Sequence, residues 1–352
     1  MQKVFVGLSG GVDSSVAAAL LQEEGYDVTG VFIKTWQPSY VHCTAREDRL
    51  DAMRVAAHLR IPFLTLDLEE EYKRGVADYM IAEYAKGRTP NPDAMCNREI
   101  KFGAFLRFAR EQGADYIATG HYAERIYNQR TSLYELHRGA DPKKDQAYFL
   151  YTLGQAELAH VLFPLGGMDK ARVREKARQL GLPTAEKKDS QGICFLGEVD
   201  MKDFLARHIP VERGAVLDQE GKRIGTHGGA VLYTLGERHG FSVEASGSGE
   251  RPLYVVGKDI AANTLTVAAE PALSEGRSRI LLEDVRSVKG IPFPEEVLEA
   301  ETRYHGERHP CRVEARKGGV YAVFSAQVLV SPGQSIVFYS GSECLGGGIA
   351  GN

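Results

Sequence analysis

The N-terminal fifteen residues constrain this chain more than any other part of it. An apolar run, Lys3-Val4-Phe5-Val6-Gly7-Leu8, ends in Ser9-Gly10-Gly11-Val12-Asp13-Ser14-Ser15, and an alanine-rich helical stretch follows at once. A strand that turns through glycines into a helix aims backbone amides, hydroxyls and the positive end of the helix dipole at one point. That point suits a phosphate group. The glycines allow close approach, Ser9, Ser14 and Ser15 supply hydroxyl donors, and Asp13 is placed to help hold the magnesium ion that accompanies nucleotide phosphates. The pattern is neither G-x-x-x-x-G-K-[ST] nor G-x-G-x-x-G, because no lysine follows the loop. The plain alternative is a glycine-rich turn without a ligand.

Strand and helix signals then alternate to about residue 130. Residues 26–36 and 61–68 read as strands, 49–60 as an amphipathic helix, 69–86 and 99–113 as longer helices, and 114–121 as a further strand. Such alternation predicts a parallel sheet with right-handed crossovers. Residues 131–208 read as mostly helical. Within them, Val173, Ala177 and Leu180 share one side of a helix that Gly181 and Pro183 stop. Lys170, Arg174 and Arg178 fall at i, i+4 spacing on another side, which reads as a solvated surface or as a phosphate contact. From Val211 onward short alternating runs are broken by Gly, Pro and Asn, and residues 255–267 read as a hairpin. The fold class predicted is α/β. It comprises an N-terminal doubly wound parallel-sheet domain over 1–208 (helical from about 140), a small central β-rich domain over 209–271 and a C-terminal β-barrel over 272–352. The last division falls at a break near Glu270–Gly276.

The formal net charge of −4 argues against a nonspecific polyanion binder. A local excess is present nonetheless: residues 303–317 carry five Lys/Arg and two Glu, with His305 and His309 besides. No apolar run approaches the roughly 18 residues of a membrane span. The N-terminus reads as a strand and not as a signal peptide, so a cytoplasmic protein without a membrane partner is expected.

Five cysteines, Cys43, Cys96, Cys194, Cys311 and Cys344, are dispersed, the closest pair lying 33 positions apart. Without C-x-x-C, a zinc ribbon, a thioredoxin motif and an iron–sulfur thiolase are disfavoured, and no resident metal is expected. Cys96 lies in Thr89-Pro90-Asn91-Pro92-Asp93-Ala94-Met95-Cys96-Asn97-Arg98-Glu99-Ile100-Lys101-Phe102. The prolines predict a rigid extended loop with Cys96 at, or just before, the start of the next helix. Helix dipole, Arg98 and Lys101 would then favour a thiolate, and Asp93 would serve as a base or orient a substrate. Cys194 follows a polar turn, Asp189-Ser190-Gln191-Gly192-Ile193. Each of these two cysteines taken alone reads more often as a buried structural thiol.

Taken together, the loop 9–15 and the stretches 87–102, 118–123, 144–150 and 189–195 closely resemble the bacterial tRNA-specific 2-thiouridylase family of the PP-loop ATP pyrophosphatase superfamily. The resemblance runs over essentially the whole chain, including 302–313 and 331–350. It implies a PP-loop (adenine nucleotide alpha hydrolase-like) first domain. It implies use of ATP and Mg2+, with a tRNA carrying a wobble uridine as substrate. The uridine C2 oxygen would be adenylated and replaced by sulfur from a cysteine persulfide, giving 2-thiouridine, AMP and pyrophosphate, a tRNA-uridine 2-sulfurtransferase reaction. By motif match Cys194 would carry the persulfide. Cys96 would be the second catalytic thiol, releasing sulfide or leaving a Cys96–Cys194 disulfide, and Asp93 would assist as acid/base. Gly7, Leu8, Ser9, Gly10, Gly11, Val12, Asp13 and Ser14 would hold ATP, with Ile33 and Gly120 at the adenosine. Asn91, Pro92 and Asp93 would lie against the target base. His121, Lys144, Asp145, Gln146, Arg303, Tyr304 and Gln334 would lie at the tRNA. A cysteine desulfurase or persulfide carrier protein would supply sulfur to a monomer. One departure stands out: Gly240-Phe241-Ser242-Val243-Glu244-Ala245 occupies the place of a GLGIGG-like run, which puts local tRNA contacts there in doubt. The alternatives are another PP-loop nucleotide-activating enzyme and a silent RNA-binding relative.

Overall fold

The computed structural model describes residues 1–40, 45–189, 200–244, 252–269 and 276–352. In the first module β1 (Lys3–Gly7), α1 (Val12–Glu23), β2 (Asp27–Lys34), α2 (Ala45–Leu59) and β3 (Phe63–Asp67) alternate. Next come α3 (Glu69–Tyr72), a π-helical turn at Lys73–Ala77, and α4 (Asp78–Ala85). α5 (Pro92–Cys96) passes through a second π-helical stretch, Asn97–Ala104, into α6 (Phe105–Glu111) and β4 (Tyr116–Ala118). The hairpin β5 (Ala123–Asn128) and β6 (Leu133–Arg138) precedes α7 (Gln155–Leu158), β7 (Val161–Leu162), α8 (Lys170–Gln179) and α9 (Met201–Ala206).

The parallel sheet has the order β3-β2-β1-β4-β7. Successive β1 side chains serve opposite faces. Val4 and Val6 pack with Ala18, Leu21, Ala52 and Val55. Phe5 packs with Met80, Ile100 and Phe105. Each such side chain contributes about 1.5–3 kcal/mol on burial, which explains why both faces of the sheet carry helices. The strand order turns back at β1, so the carboxyl ends of β1 and β4 bound the crevice where open α/β sheets bind ligands.

The central module is a sheet of order β10-β9-β8-β12-β11, from β8 (Gly214–Leu217), β9 (Arg223–His227), β10 (Phe241–Val243), β11 (Tyr254–Asp259) and β12 (Thr264–Ala268). β11 and β12 form the hairpin expected over 255–267. The third module contains β13 (Arg277–Ser287), β14 (Leu298–Glu301), β15 (Arg308–Arg316), β16 (Gly319–Val328), β17 (Ser335–Ser340) and β18 (Glu343–Ala350). A β13–β18 pairing closes these strands into a barrel around Ile280, Leu282, Leu298, Phe324, Ile336 and Phe338. The expected break near Glu270–Gly276 falls largely outside the described residues.

Two local expectations change. The region after 131 is not mostly helical: β6 pairs with β5 and also joins the barrel at β18, through Glu343↔His137 and Cys344↔Leu136. Its period-2 pattern follows an Asn128 turn in which Asn128 Oδ1 accepts from the amides of Arg130 and Thr131. The Asn91 loop is also already helical at Pro92. Proline is tolerated at the first helical position, and Asn91 Oδ1 caps it by accepting from the Ala94 amide at 3.1 Å. Cys96 therefore lies one turn inside a helix and not at its start.

The barrel is fastened to the first module at Arg88, which is only 8% exposed. Its guanidinium lies 2.7 Å from Glu83 and 2.6 Å from Glu283 of β13. Arg88→Met should cost about 3 kcal/mol by leaving Glu83 in a low-polarity setting with Lys86 alone. Equilibrium urea unfolding of the whole chain measures this. A change below about 0.5 kcal/mol would mean that the pair behaves as a surface bridge.

Candidate active site

The loop after β1 sits at the strand-order reversal. Gly10 adopts φ +76°, and a Cβ there would lie 2.3 Å from the Asp48 carbonyl oxygen of α2. The turn is thus possible only for glycine, and it presses the loop against α2. The hydroxyls are ordered from within: Ser14 Oγ donates to the Gly11 carbonyl at 3.2 Å, Ser15 Oγ donates to it at 2.7 Å, and Ser9 Oγ lies 3.2 Å from Ser14 Oγ. Gly120, after β4, closes the other wall, since a Cβ on it would lie 2.7 Å from the Ser14 amide nitrogen. Gly7, Ser9, Gly10, Gly11, Ser14 and Gly120 are therefore neighbours. Leu8, Val12 and Ile33 are buried in the core, so their side chains hold the sheet and only their backbones remain for a nucleotide.

Asp13 lies differently from the sequence expectation. Both its oxygens accept from the Lys170 ammonium, at 2.7 and 2.8 Å, and Oδ1 accepts from the Tyr122 hydroxyl at 2.7 Å. The carboxylate is engaged by a cation and a phenol, which leaves it poorly disposed to ligate Mg2+ directly. Among the described residues no group of three or more His, Cys, Asp or Glu is placed to hold a metal ion. The basic face of α8 is internally paired. Lys170 and Arg174 reach Asp189 at 2.8 and 2.7 Å, and Arg178 reaches Glu186 at 2.7 Å. Burial raises the Asp189 pKa, but hydrogen bonds from Lys144 and Lys170 outweigh it and hold the carboxyl at about 2.

Cys96 is fully buried and Asp93 half-buried. Their helix is held from two sides. Lys101 Nζ lies 3.4 Å from His121 Nε2, next to Gly120. On the barrel side Asn91 Nδ2 donates to Ser335 Oγ at 3.4 Å, and the Ser335 carbonyl accepts from the Tyr148 hydroxyl at 2.9 Å. The Thr89 amide donates to the Pro332 carbonyl at 2.7 Å. His121 does not reach the surface. It is 6% exposed, and its Nδ1 lies 2.7 Å from Thr119 Oγ1. Burial, with Lys101 beside it, pushes its pKa well down, so the ring is neutral.

The expected tRNA-contacting residues come from the middle of the chain and from the barrel. Asp145 is buried, accepts from Arg138 at 3.0 Å, and is thereby tied to Glu301, which takes the same guanidinium at 2.8 Å. Gln146 Oε1 accepts from the Tyr122 amide at 3.1 Å. Lys144 pairs with Asp189 at 2.7 Å. Tyr304, half-exposed, packs on Phe149 with ring centroids 4.4 Å apart and stacks on His305 at 3.9 Å. Burial, with the charges of Asp145 and Asp93 nearby, pushes its phenol up to about 12. Arg303 is exposed beside it. Gln334 Oε1 accepts from the Ser331 amide at 2.9 Å, in the barrel loop that meets Thr89. Cys194 and Cys43 lie outside the described residues. Cys311 and Cys344 are buried thiols pushed up to about 12 by burial, which suits structural roles.

Sequence reasoning did not single out Tyr122, Tyr148, Phe149 or Ser335. Tyr122 and the pair Tyr148-Phe149 sit inside the motifs 118–123 and 144–150, but their roles depend on partners far along the chain.

A glycine loop at the strand-order reversal of a parallel sheet, backed by a helix N-terminus, defines an ATP-binding PP-loop domain, here carrying two β modules. Three family profiles match along the chain: "tRNA methyl transferase HUP domain" over residues 2–198, "tRNA methyl transferase PRC-barrel domain" over 202–269, which takes in most of α9, and "Aminomethyltransferase beta-barrel domain" over 277–350. Proteins named tRNA-specific 2-thiouridylase MnmA are similar along nearly the whole chain. That of Enterococcus faecalis is 44% identical over 99% of this chain and 94% of its own. That of Tolumonas auensis is 49% identical over 99% and 96%. The Geobacillus kaustophilus protein MnmA 2 is 47% identical over 98% and 94%. The chain belongs to the tRNA-specific 2-thiouridylase family. No described helix is long and apolar enough to cross a membrane.

Proposed function

We propose that this protein converts the wobble uridine of tRNA to 2-thiouridine, using ATP and a cysteine persulfide. The observation that carries the reading is the placement of the Cys96 helix. It is held between the ATP loop, through Lys101 and His121, and the barrel, through Asn91 and Ser335. One base inserted there would meet the phosphate site and a thiol together. The profile names mention methyl transfer, yet a phosphate loop in a chain that also carries Cys96 and Cys194 serves adenylation and sulfur transfer better than it serves a methyl donor.

The roles follow from the chemistry. Gly7, Ser9, Gly10, Gly11 and Ser14 hold the triphosphate, Asp13 through its backbone amide, and the backbones of Leu8, Val12, Ile33 and Gly120 line the rest of the nucleotide site. Mg2+ would be carried by the triphosphate and would supply charge neutralisation there, since the Asp13 carboxylate is taken up by Lys170 and Tyr122. The uridine C2 oxygen attacks the α-phosphorus, pyrophosphate leaves, and the poor leaving oxygen becomes a good one. The terminal sulfur of a Cys194 persulfide attacks C2 and AMP departs. The Cys96 thiolate then attacks the Cys194 sulfur, which breaks the S–S bond to the base and leaves 2-thiouridine with a Cys96–Cys194 disulfide. A thiol reductant returns both cysteines to their reduced state. Alternatively Cys96 cleaves the persulfide first and sulfide is the nucleophile. Asp93 moves the proton near the base, and Asn91 and Pro92 shape its seat. Lys144, Asp145, Gln146, Arg303, Tyr304 and Gln334 position the anticodon arm, Tyr304 by stacking on an unpaired base. His121, being buried, supports Lys101 from below. A cysteine desulfurase or a persulfide carrier supplies sulfur, in the cytoplasm, to a monomer.

The test is mass analysis of anticodon nucleosides. The protein is incubated with unmodified tRNA, ATP, Mg2+ and a persulfide donor. A sulfur-for-oxygen mass change at the wobble uridine that requires ATP is expected. ATP turnover with an unchanged base would overturn the sulfur assignment while leaving the adenylation step standing.

A further inference from the structure

The loop that follows β1 contains no cation of its own, and its hydroxyls are partly satisfied by the Gly11 carbonyl. A helix N-terminus contributes only about half an elementary charge. The several negative charges of a nucleoside triphosphate call for a cation. The fold brings one from a position 157 residues along the chain: Lys170, at the first turn of α8, with its ammonium on Asp13. Resting on the ATP reading above, we propose that Lys170 is a phosphate-binding residue of this site, and that Asp189 is the counterion which yields it when the triphosphate arrives.

An ammonium has three donors. The three carboxylate oxygens around Lys170 Nζ account for all of them: Asp13 Oδ1 at 2.7 Å, Asp13 Oδ2 at 2.8 Å and Asp189 Oδ1 at 2.8 Å. The side chain is only 14% exposed, so its stem is fixed and its head cannot simply swing into water. The Lys170 amide is pinned as well, donating to Asp141 Oδ2 at 3.0 Å. A phosphate oxygen must therefore displace one carboxylate.

The two carboxylates are not equivalent. Asp13 is part of the loop itself and, among the described residues, accepts otherwise from the neutral Tyr122 hydroxyl. Losing Lys170 would leave its charge without a cation among them. Asp189 keeps two other cations, Lys144 at 2.7 Å and Arg174 at 2.7 Å, so it loses less on release. Lys170 then bridges Asp13 and phosphate, and Asp189 falls back on Lys144 and Arg174. Of the basic face of α8, at first sight either a solvated surface or a phosphate contact, Lys170 is thus a phosphate contact held in reserve, while Arg174 stays on Asp189 and Arg178 on Glu186.

The assignment predicts substitutions of opposite sign. Calorimetric titration with a non-hydrolysable ATP analogue and Mg2+, in the absence of tRNA, reads the site apart from any thiolation. Lys170→Met should weaken binding about 10- to 100-fold, the worth of a charge-assisted hydrogen bond. Lys170→Arg should restore most of it. Asp189→Asn should tighten binding about 2- to 5-fold, because a competitor for the ammonium is removed. If the cluster were merely an ion-paired brace, both Lys170→Met and Asp189→Asn would weaken binding, and that result overturns the proposal. Unchanged affinity in Lys170→Met overturns it too. Should Lys170→Met not fold, the sign of the Asp189→Asn change decides alone. Failure of the wild-type protein to bind the analogue would instead overturn the ATP reading, and this assignment with it.

Discussion

Cys96→Ser should stop 2-thiouridine formation, by about 10³-fold or more, while tRNA-dependent release of pyrophosphate continues for at least one turnover. Adenylation of the uridine oxygen precedes any sulfur chemistry, so the first half of the reaction does not need the thiol. Serine is close in volume to cysteine, and the site is fully buried and packed, so the helix should keep its place. The hydroxyl cannot take over: it is not ionised at neutral pH and does not attack a sulfur–sulfur bond. Pyrophosphate release by coupled assay and nucleoside mass analysis, run on one sample, separate the two halves. Thiolation surviving in Cys96→Ser would remove this residue from the sulfur path. Loss of pyrophosphate release together with thiolation would place Cys96 in tRNA or ATP binding instead. Burial adds an expectation of its own. In the free protein Cys96 should react slowly with iodoacetamide, since no part of its surface meets solvent.

What the sequence revealed and what it hid follow physical lines. The loop 9–15 was legible because its chemistry is local: glycine conformations, hydroxyls and a helix start lie within a few residues. The alternation of β1, α1, β2, α2 and β3 was legible for the same reason, through periodic burial. The helix start at Pro92 was misjudged because two prolines resemble an extended loop. The deciding Asn91 cap and Pro92 at the first helical position favour a helix equally well. The strand β6 was missed because its reward is tertiary: it pairs with β18, some two hundred positions along the chain, and an isolated hairpin would gain little. Among site residues, the partners of Asp13 were invisible. Tyr122 and Lys170 lie 109 and 157 positions away, and only the folded sheet brings them to the loop. Likewise nothing near Asn91 announces Ser335, 244 positions on, as its hydrogen-bond partner. Local turn chemistry names the site, and long-range pairing decides how each side chain in it is spent.

Gly10→Ala should abolish useful ATP binding, weakening it by about 100-fold or more, with only a modest loss of global stability. Two effects combine at this position. The backbone has φ +76°, which costs a residue with a Cβ about 1–2 kcal/mol. The added Cβ would also lie 2.3 Å from the Asp48 carbonyl oxygen and 3.0 Å from its carbon, both backbone atoms of α2 that no rotamer change can move. Relief requires the loop to lift off α2 or the peptide to turn over. Either movement takes the amides of the loop away from the phosphate position, and amide direction is what such a site depends on. Gly25→Ala separates strain from geometry. Gly25 has φ +86° but nothing within 4 Å of its would-be Cβ. That variant should lose about 1 kcal/mol of stability and bind the ATP analogue as the wild type does. Titration of both variants, with thermal unfolding alongside, gives the comparison. Equal affinities in the two would mean that the loop tolerates a reshaped turn, and that the phosphates are held elsewhere. A selective loss in Gly10→Ala would place the nucleotide at the junction of β1 and α1, where the reversal of strand order makes room for it.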